Sequence, residues 1–454
     1  MIDEIDALGG EKMADALRNM IEKRKKGIHC GIASYCSANE LVIEAAMEQA
    51  LRFDDEVLIE ATANQVNQFG GYTGMLPADF KEFVYKIADK TGFPREKVIL
   101  GGDHLGPLTW SGEPEETAMA KAVDLVKLFV KAGYKKIHLD TSMKLADDPV
   151  DAGLPDEVIA RRGVRLYKAC EEAYQELAAE NPDEPRPAFI IGSEVPIPGG
   201  AQEAEDSVAV TKPEALRKTI AAYEAEFEKN GLKDAFQNII GIVVQPGVEF
   251  GDDDIIHYNR EKAVALTQAA KEYSNMVLEG HSTDYQTPKN MKMMVEDGIA
   301  ILKVGPALTF ALREALFALS MMEKVLVPEE KRANFIEVLE ETMLKNPGNW
   351  AKHYHGTEEQ LYIKRKYSFS DRCRYYFAQP EIVECMHKLF DNIDACDIPM
   401  GMLHQYMPYQ YIKVRDGRLS KKAAELAKDN VVQIIEDYNY AVKFNYMTGN
   451  AFLD

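Results

Sequence analysis

The stretch Val98-Ile99-Leu100-Gly101-Gly102-Asp103-His104-Leu105-Gly106-Pro107 joins a short apolar run to a polar, glycine-rich end. Near-continuous apolar runs of this length are typical of strands that are buried on both faces of a parallel sheet. In a closed α/β barrel the catalytic groups lie at the carboxyl ends of such strands, because the loops that follow are free to vary. The stretch therefore predicts a buried strand that delivers Asp103 and His104 to a functional site.

Seven further runs of the same kind lie on either side of this one, and helical patterns separate them. The eight candidate strands are 31–34, 57–60, 98–101, 136–139, 188–191, 239–244, 276–278 and 299–302. Eight strand–helix units within roughly 280 residues fit an α/β protein built as a (β/α)8 barrel. A doubly wound open sheet is the structural alternative.

The rest of the chain divides around this barrel. Apolar residues recur at helical spacing over 11–26, namely at Met13, Leu17, Met20 and Ile21. We therefore predict an N-terminal helix within residues 1–27, the barrel over 28–319, and a mainly helical extension packed on the barrel over 320–454. An aromatic and basic stretch at 362–377 is interpreted first as packing and ion pairing, and second as a contribution to substrate or partner binding.

Composition narrows the classes of protein that remain. The 454 residues carry a formal net charge of -21, which argues against a nucleic-acid surface, although a few converging cations could still bind an anionic substrate. The sequence contains no apolar run of the roughly 18 residues that a membrane helix needs. The N-terminus lacks a signal pattern, and the six cysteines form no CxxC pair, so we predict free thiols and a cytoplasmic protein.

Polar side chains follow six of the eight runs. They include Glu60 and Asn64, Asp103 and His104, His138, Asp140 and Ser142, Glu194, Gln245, and finally Glu279, His281 and Asp284. Because the carboxyl ends of barrel strands meet at one rim, we expect these side chains to share a site. His138 and Asp140 alternate along one strand and should point to the same face.

Two histidines and one carboxylate among these residues have the composition of a catalytic metal site. His104, Glu194 and His281 could hold zinc, or another divalent metal such as manganese, with one position left open. Each also has an ordinary structural interpretation: a satisfied histidine beside a helix-capping Asp103, an ion-pair partner, and a histidine next to the helix N-cap at 282–284.

Two loops of small residues, 70–74 and 305–309, could present N–H groups to a phosphate or a sugar hydroxyl. Neither is a Walker or dinucleotide fingerprint, and each is as readily explained as a turn. Lys303, just before the second loop, is a candidate partner for an anion, or otherwise a solvated lysine at a strand end.

Several long segments of the chain resemble the GatZ/KbaZ family, the second subunit of class II tagatose-1,6-bisphosphate aldolases. They are 60–75, 101–107, 137–143, 243–250, 281–286 and 301–314. The resemblance extends from about residue 22 to about residue 440. It implies a barrel related to the class II aldolases.

The resemblance also implies roles for individual residues. In class II aldolases an Asp-His pair supplies a catalytic acid/base and a zinc ligand, and this pair matches Asp103 and His104. A late histidine before a phosphate loop resembles His281 and Ser282. A glutamate before a Gly-Gly segment resembles Glu194.

One departure from the aldolase pattern concerns the metal ligands. Those enzymes carry another zinc-binding histidine just before a basic-Pro-Gly turn. The corresponding stretch here, 241–247, contains no histidine, and Gln245 precedes Pro246. The ligand set for a metal should therefore differ.

Two functions follow from the resemblance. In the first, the chain is a metal-dependent enzyme that interconverts fructose and tagatose, or their 6-phosphates, by opening and reclosing the C3–C4 bond, with Asp103, Glu60 and Asp140 as catalytic groups. The substrate-binding residues would be Asn64, Gln65, Gly74, His138, Ser142, Gln245, Ser282, Asp284 and Lys303. In the second, the chain is a non-catalytic subunit that supports a class II aldolase partner subunit. A homo-oligomer is compatible with both.

Overall fold

The computed structural model describes residues 16–151, 153–195 and 208–443. The strands are β1 (Ile32–Cys36), β2 (Val57–Thr62), β3 (Val98–Leu105), β4 (Lys136–Leu139), β5 (Ala188–Ile191), β6 (Ile239–Val244), β7 (Glu249–Phe250), β8 (Ile255–Ile256), β9 (Val277–Gly280) and β10 (Ile299–Val304). The α-helices are α1 (Ala16–Lys25), α2 (Glu40–Arg52), α3 (Pro77–Thr91), α4 (Glu115–Lys131), α5 (Asp156–Glu180), α6 (Pro213–Lys229), α7 (Arg260–Ala270), α8 (Pro288–Asp297), α9 (Pro306–Leu326), α10 (Phe335–Lys345), α11 (Glu358–Tyr367), α12 (Pro380–Asp394), α13 (Met400–Tyr406), α14 (Pro408–Arg415) and α15 (Ala423–Val442). Short 3₁₀ helices lie at Arg95–Lys97, Pro107–Trp110, Lys233–Asn238, Glu329–Lys331, Pro347–Asn349 and Arg372–Tyr376.

Eight parallel strands close into a barrel in the order β1-β10-β9-β6-β5-β4-β3-β2. Each of the eight predicted runs forms one of these strands, so the predicted (β/α)8 barrel is confirmed and the open-sheet alternative is wrong. The antiparallel pair β7–β8 was not predicted; it lies in the connection from β6 to α7. Strands of two residues are too short to produce a readable pattern in the sequence.

The α1 helix closes the amino-terminal end of the barrel. Its buried residues are the apolar ones predicted from helical spacing, Leu17, Met20 and Ile21. They pack against a layer of strand side chains that includes Leu58, Ile190, Val277 and Ile301. Burying a side chain of this size contributes roughly 1.5–3 kcal/mol. Met13 and the rest of 1–15 lie outside the described residues.

Local sequence signals set several helix boundaries. The side chain of Asn39 accepts hydrogen bonds from two N–H groups of the first turn of α2, and Thr287 caps α8 in the same way. Gly298 ends α8 with a φ of 109°, a left-handed conformation that glycine adopts at little cost. These caps fix where each helix leaves the rim and hence where its preceding loop lies.

The C-terminal extension is helical, as predicted, and part of it joins the helical layer of the barrel. The α15 helix packs against α2, α8 and α9. At its end the carbonyl of Val442 accepts a hydrogen bond of 2.8 Å from Gly31 N–H, next to the first strand. The boundary predicted at 319/320 falls inside α9, which begins in the barrel and continues past it.

A buried ion pair joins the extension to the barrel near the carboxyl ends of the strands. Asp371 accepts hydrogen bonds from Thr309 Oγ1 at 2.7 Å and Arg313 Nε at 3.0 Å, and both partners belong to α9. The Arg313 guanidinium also lies 4.0 Å from the centroid of the Phe310 ring. This contact places the segment after Asp371 at the mouth of the barrel.

All six cysteines are free thiols, as predicted. Among the described residues, no helix is both long and apolar enough to cross a bilayer.

Replacing Arg313 with methionine should lower the free energy of unfolding by about 3–5 kcal/mol, because it leaves the Asp371 carboxylate buried and unpaired. Adding Asp371→Asn in the same chain should recover part of the loss, since no unpaired charge then remains. Urea-induced unfolding measures both values. Lys324→Met, which breaks an exposed ion pair on the same helix, should change the stability by less than about 1 kcal/mol. Equal losses for Arg313→Met and Lys324→Met would contradict the prediction.

Candidate active site

The carboxyl ends of the barrel strands bring a dense polar cluster to one rim. Asp103 and His104 come from the end of β3, His138 from β4, His281 from the residue after β9, and Lys303 from β10. All five side chains are buried. A cavity opens above the cluster, and Asp103, His104, His281 and Lys303 are among the residues that line it.

Three imidazole rings face one another in this cluster. The ring centroids of His104, His138 and His281 lie 5.0, 4.9 and 5.2 Å apart in the three pairings. One potential ligand atom from each of these histidines and one from Asp103 all lie within 4.8 Å of one another. This spacing suits a single metal ion bound by nitrogen and oxygen.

Each imidazole is held by a carboxylate through one ring nitrogen. The pairs are His104 Nδ1 with Asp140 at 2.8 Å, His138 Nδ1 with Asp103 at 2.9 Å, and His281 Nε2 with Glu279 at 2.9 Å. Histidines that bind metals in proteins usually have such a partner, which fixes the ring and the tautomer. The other nitrogen of His138, Nε2, is buried and has no hydrogen-bond partner among the described residues. The residues present therefore fit a divalent cation.

Buried charges beneath the histidines support the same conclusion. Lys136 Nζ lies 2.6 Å from Glu60 and 2.7 Å from Glu279, and Lys303 Nζ lies 2.6 Å from Glu60. Lys303 also pairs with Asp103. When Asp140 is included, four carboxylates face two ammonium groups, so two negative charges remain when all three imidazoles are neutral and one remains when His104, whose pKa is raised, is protonated. Such an excess favours a bound cation over an empty site.

The pKa values follow from this mixture of burial and charge. Burial lowers the pKa of His281 to about 3, which keeps its imidazole neutral and able to bind a metal. Burial would raise the pKa of Asp103, but the nearby His104 and Lys303 outweigh it and hold that pKa well below the usual range. Burial likewise disfavours the charged form of His104, yet the Asp103 and Asp140 carboxylates raise its pKa above the ordinary value.

The backbone at the rim has an unusual conformation at two site residues. His104 has a φ of 47° and Ser282 a φ of 52°, and non-glycine residues rarely adopt this left-handed region. The pairing of β3 with β4 is irregular between Gly102 and Leu105, so His104 leaves the regular strand geometry. A Cβ atom at Gly106 would collide with the carbonyl oxygen of Asp140. Glycine at position 106 thus allows the backbone after His104 to pass close to Asp140 at the end of β4.

The cavity above the cluster is lined by predicted and unpredicted residues. The predicted ones are Asn64, Gln65, Asp103, His104, His281, Ser282, Asp284 and Lys303. The unpredicted ones include Cys36, Tyr72, Phe250, Arg374 and Tyr375. Arg374 and Tyr375 come from the extension, which therefore contributes one wall of the cavity.

Glu194, expected as a metal ligand, lies outside the group of ligand atoms around the three histidines. Its side chain is exposed and accepts a hydrogen bond from the Thr211 hydroxyl. His138, expected to bind substrate, instead contributes an imidazole to the cluster.

Besides His138, three more residues expected to bind substrate do not line the cavity. The Gln245 side chain accepts the N–H groups of Gly247 and Val248, at 2.8 and 3.0 Å, and so closes its own turn. The Ser142 hydroxyl donates to Asp140 at 2.7 Å, and Gly74 lies in an exposed turn with a φ of 77°. Glu60 and Asp140, expected to be catalytic, lie in the layer beneath the cavity.

The Asp284 side chain lies against the N-terminal end of α9. Its carboxylate accepts hydrogen bonds from Gly305 N–H at 3.0 Å and Ala307 N–H at 2.9 Å. These N–H groups belong to the loop expected to bind a phosphate, so part of that loop is already satisfied within the chain. Burial raises the pKa of Asp284 to about 6, although both N–H groups and the more distant Arg374 favour its ionised form.

Lys136, whose buried ammonium bridges two glutamates, was not among the residues predicted for the site. The alternation already noted for His138 and Asp140 extends back to this residue, so the same argument would have placed it in the barrel interior. Arg374 and Tyr375 belong to the stretch 362–377, for which a contribution to binding was the second interpretation, but the sequence did not single them out because only the packing of the extension brings them to the rim.

His138→Ala should weaken the binding of Zn²⁺ or Mn²⁺ at least about 100-fold, since losing a ligand should cost more than the roughly 10- to 100-fold that losing an outer partner costs. Glu194→Gln should leave the affinity unchanged. Isothermal titration of metal into the metal-free protein measures both values, with the exposed His257→Ala as a control. A loss on Glu194→Gln equal to that on His138→Ala would restore Glu194 as the ligand.

Asp284→Asn should stabilise the metal-free protein above about pH 6 and have little effect near pH 4. The folded pKa of about 6 exceeds the ordinary value of 3.8, so the wild-type protein loses stability as the pH rises between these values. The asparagine keeps an acceptor for both N–H groups. The gain should level off at on the order of 2–3 kcal/mol. Unfolding at several pH values tests this, with the exposed Asp124→Asn as a control, and a difference independent of pH would contradict it.

Comparison with known proteins places the chain in a family. A relative from Klebsiella pneumoniae named D-tagatose-1,6-bisphosphate aldolase subunit GatZ is 48% identical over 424 residues, which cover 93% of this chain and 98% of the relative. A protein of the same name from Salmonella paratyphi B is 47% identical over the same length. The crystal structure of a protein described as a probable tagatose 6 phosphate kinase from Sinorhizobium meliloti 1021 aligns with a TM-score of 0.82 and 45% identity, covering 91% of this chain and 100% of that one.

The family profile described as D-tagatose-1,6-bisphosphate aldolase subunit GatZ/KbaZ-like matches residues 17–443. This match spans the barrel and almost all of the described extension. The chain therefore belongs to the GatZ/KbaZ-like family of D-tagatose-1,6-bisphosphate aldolase subunits.

Proposed function

We propose that this chain acts as a subunit of a tagatose-1,6-bisphosphate aldolase, in association with a class II aldolase partner subunit. The observation that supports this role is the name shared by relatives 47–48% identical to the chain over nearly its whole length. The high coverage means that no large part of those relatives lacks a counterpart here.

The geometry of the rim supports a second and finer proposal: the chain carries its own centre for C3–C4 chemistry and interconverts fructose and tagatose, or their 6-phosphates. The supporting observation is the set of three imidazoles, each oriented by a buried carboxylate. A subunit that only supported a partner would have no physical need for this arrangement, which places four buried carboxylates in one small volume.

In this proposal His104, His138 and His281 hold a divalent cation such as zinc. When bound, the cation supplies Lewis-acid polarisation of the substrate carbonyl and offsets negative charge that develops on its oxygens. The side chains of Asp140 and Glu279 orient two of these imidazoles and do not contact substrate.

Asp103 is the group proposed to move the proton. Its carboxylate lines the cavity and is ionised, because its pKa lies well below the usual range. The Lys303 ammonium, paired with Asp103 and Glu60, holds that carboxylate in place and offsets negative charge developing beside it. Glu60 acts through Lys303 and Lys136, because it lies below the cavity.

The proposed reaction needs no external oxidant or reductant. Asp103 takes the proton of the C4 hydroxyl, the C4–O bond becomes a carbonyl, and the electron pair of the C3–C4 bond passes to the C1–C3 fragment. The aldehyde formed from C4–C6 turns its other face to C3. The C3–C4 bond then forms again, Asp103 returns the proton to the C4 oxygen, and the configuration at C4 is inverted.

The purified chain supplied with Zn²⁺ or Mn²⁺ should convert fructose 6-phosphate to tagatose 6-phosphate, and His104→Ala should abolish the conversion by removing a metal ligand. Sugar-phosphate chromatography or ¹³C NMR measures the products. Glu194→Gln is the matched control at the same rim and should keep full activity. In parallel, the chain is mixed with a class II tagatose-1,6-bisphosphate aldolase.

The two proposals separate cleanly in this experiment. Turnover by the chain alone that is lost in His104→Ala supports its own chemistry. Activation of the partner without any turnover by the chain alone leaves only the subunit role. Turnover that survives in His104→Ala contradicts the assigned centre, and failure to activate the partner contradicts the subunit role.

A further inference from the structure

Arg374 reaches the candidate active site from outside the barrel. It lies in the 3₁₀ helix Arg372–Tyr376, directly after Asp371, whose contacts with α9 hold this segment at the barrel mouth. Arg374 lines the same cavity as His104 and His281.

The charge of Arg374 is not matched by a carboxylate. Its Nη1 donates to the carbonyl oxygens of Ser370 and Asp371, and its Nη2 donates to the Tyr375 hydroxyl at 2.8 Å. In the described parts of the chain, no carboxylate oxygen forms an ion pair with it. Retaining an unpaired cation at a partly enclosed site is costly, and in a chain with a net charge of -21 acidic partners are plentiful. The guanidinium is therefore held in place by neutral acceptors, and its charge is available to bind an anion.

A second cation strengthens the positive potential here. The Tyr375 ring lies between two guanidinium groups, with Arg372 Cζ at 5.1 Å and Arg374 Cζ at 4.3 Å from its centroid. Arg372 donates to the carbonyl oxygen of Asn349 and forms no ion pair within the described residues either. Burial and these two arginines lower the pKa of the nearby His353 to about 4. The wall from the extension is thus the electropositive side of the cavity.

The loop at 305–309 is the other place on the rim that could bind an anion, but two of its N–H groups are already used within the chain. The N–H groups of Gly305 and Ala307, at the start of α9, are bound by the Asp284 carboxylate. Other donors remain on the cavity wall, since the Asn64 side chain uses its oxygen to accept from Thr109 and keeps its amide hydrogens. Of the lysine and arginine side chains on the lining, Lys303 is paired with Glu60 and Asp103, whereas Arg374 forms no ion pair among the described residues and is available to an anion in the cavity.

We propose that Arg374 binds the phosphate monoester of a ketohexose phosphate while the sugar carbons reach the histidine cluster. The proposal rests on the proposed sugar chemistry and extends it, because it selects the phosphorylated sugar over the free one. A guanidinium suits this ligand, since its planar donors match two phosphate oxygens. The extension is then part of the substrate site as well as a support for the barrel.

Ligand-observed NMR titration of the full chain tests this without requiring turnover, using fructose 6-phosphate, inorganic phosphate and fructose as probes. Arg374→Gln should weaken binding of both phosphates at least about 10-fold, as expected for loss of a charged donor, and leave fructose binding unchanged. Arg374→Lys should lose less. Arg165→Gln, at a half-buried position outside this cavity, should behave as the wild type. Unchanged phosphate binding by Arg374→Gln, or an equal loss for fructose, overturns the proposal.

The wild-type protein provides a second measurement that does not depend on a variant folding. Inorganic phosphate should displace fructose 6-phosphate but not fructose, and failure to compete with fructose 6-phosphate also overturns the proposal. If phosphate binding depends on Arg374 but the chain shows no epimerase turnover, the phosphate site at Arg374 is supported and the proposed epimerisation is contradicted. If the chain turns over but does not bind inorganic phosphate, the epimerisation is supported and the phosphate site is contradicted.

Discussion

Two lysines and two glutamates, buried in the middle of the barrel, form the interaction on which the rim depends. Lys136 bridges Glu60 and Glu279 at 2.6 and 2.7 Å, and Lys303 reaches Glu60 from the last strand. Taking four charges out of water is expensive, and removing one partner leaves another uncompensated. These residues therefore constrain one another across four strands, and they separate an apolar lower layer from the polar rim above.

The orientation of the imidazole rings depends in part on these buried charged residues. Glu279 holds His281 through its second oxygen, and Asp103 joins Lys303 to His138. The orientation of His138 and His281 is thus set by groups that are themselves fixed by ion pairs. Preorganisation of this kind is what a metal or a developing negative charge requires, because little reorganisation remains when the ligand arrives.

Much of the barrel could be predicted from sequence because its signals are local. Each strand is an apolar run that both faces bury, and the polar residues at its end mark the rim. The β7–β8 pair could not be predicted, since two residues give no period. That His138 and not Glu194 lies with His104 and His281 depends on which side chains converge from β3, β4 and β9, and spacing within one strand does not contain that information. The position of Arg374 at the cavity depends on packing between distant parts of the chain, so the stretch 362–377 could be suspected of binding but its lining residues could not be identified.

The hydrogen bond from Gly31 to the carbonyl of Val442 has a consequence for how the chain folds. The residue that precedes the first strand is satisfied by the end of the last described helix. α15 also covers α2, α8 and α9. Contacts between such distant parts of a sequence are slow to form, because loop-closure entropy opposes them. During synthesis the helical layer around β1 and β10 must therefore stay incomplete until α15 has left the ribosome. Until then, the faces of α2, α8 and α9 that α15 covers expose apolar surface.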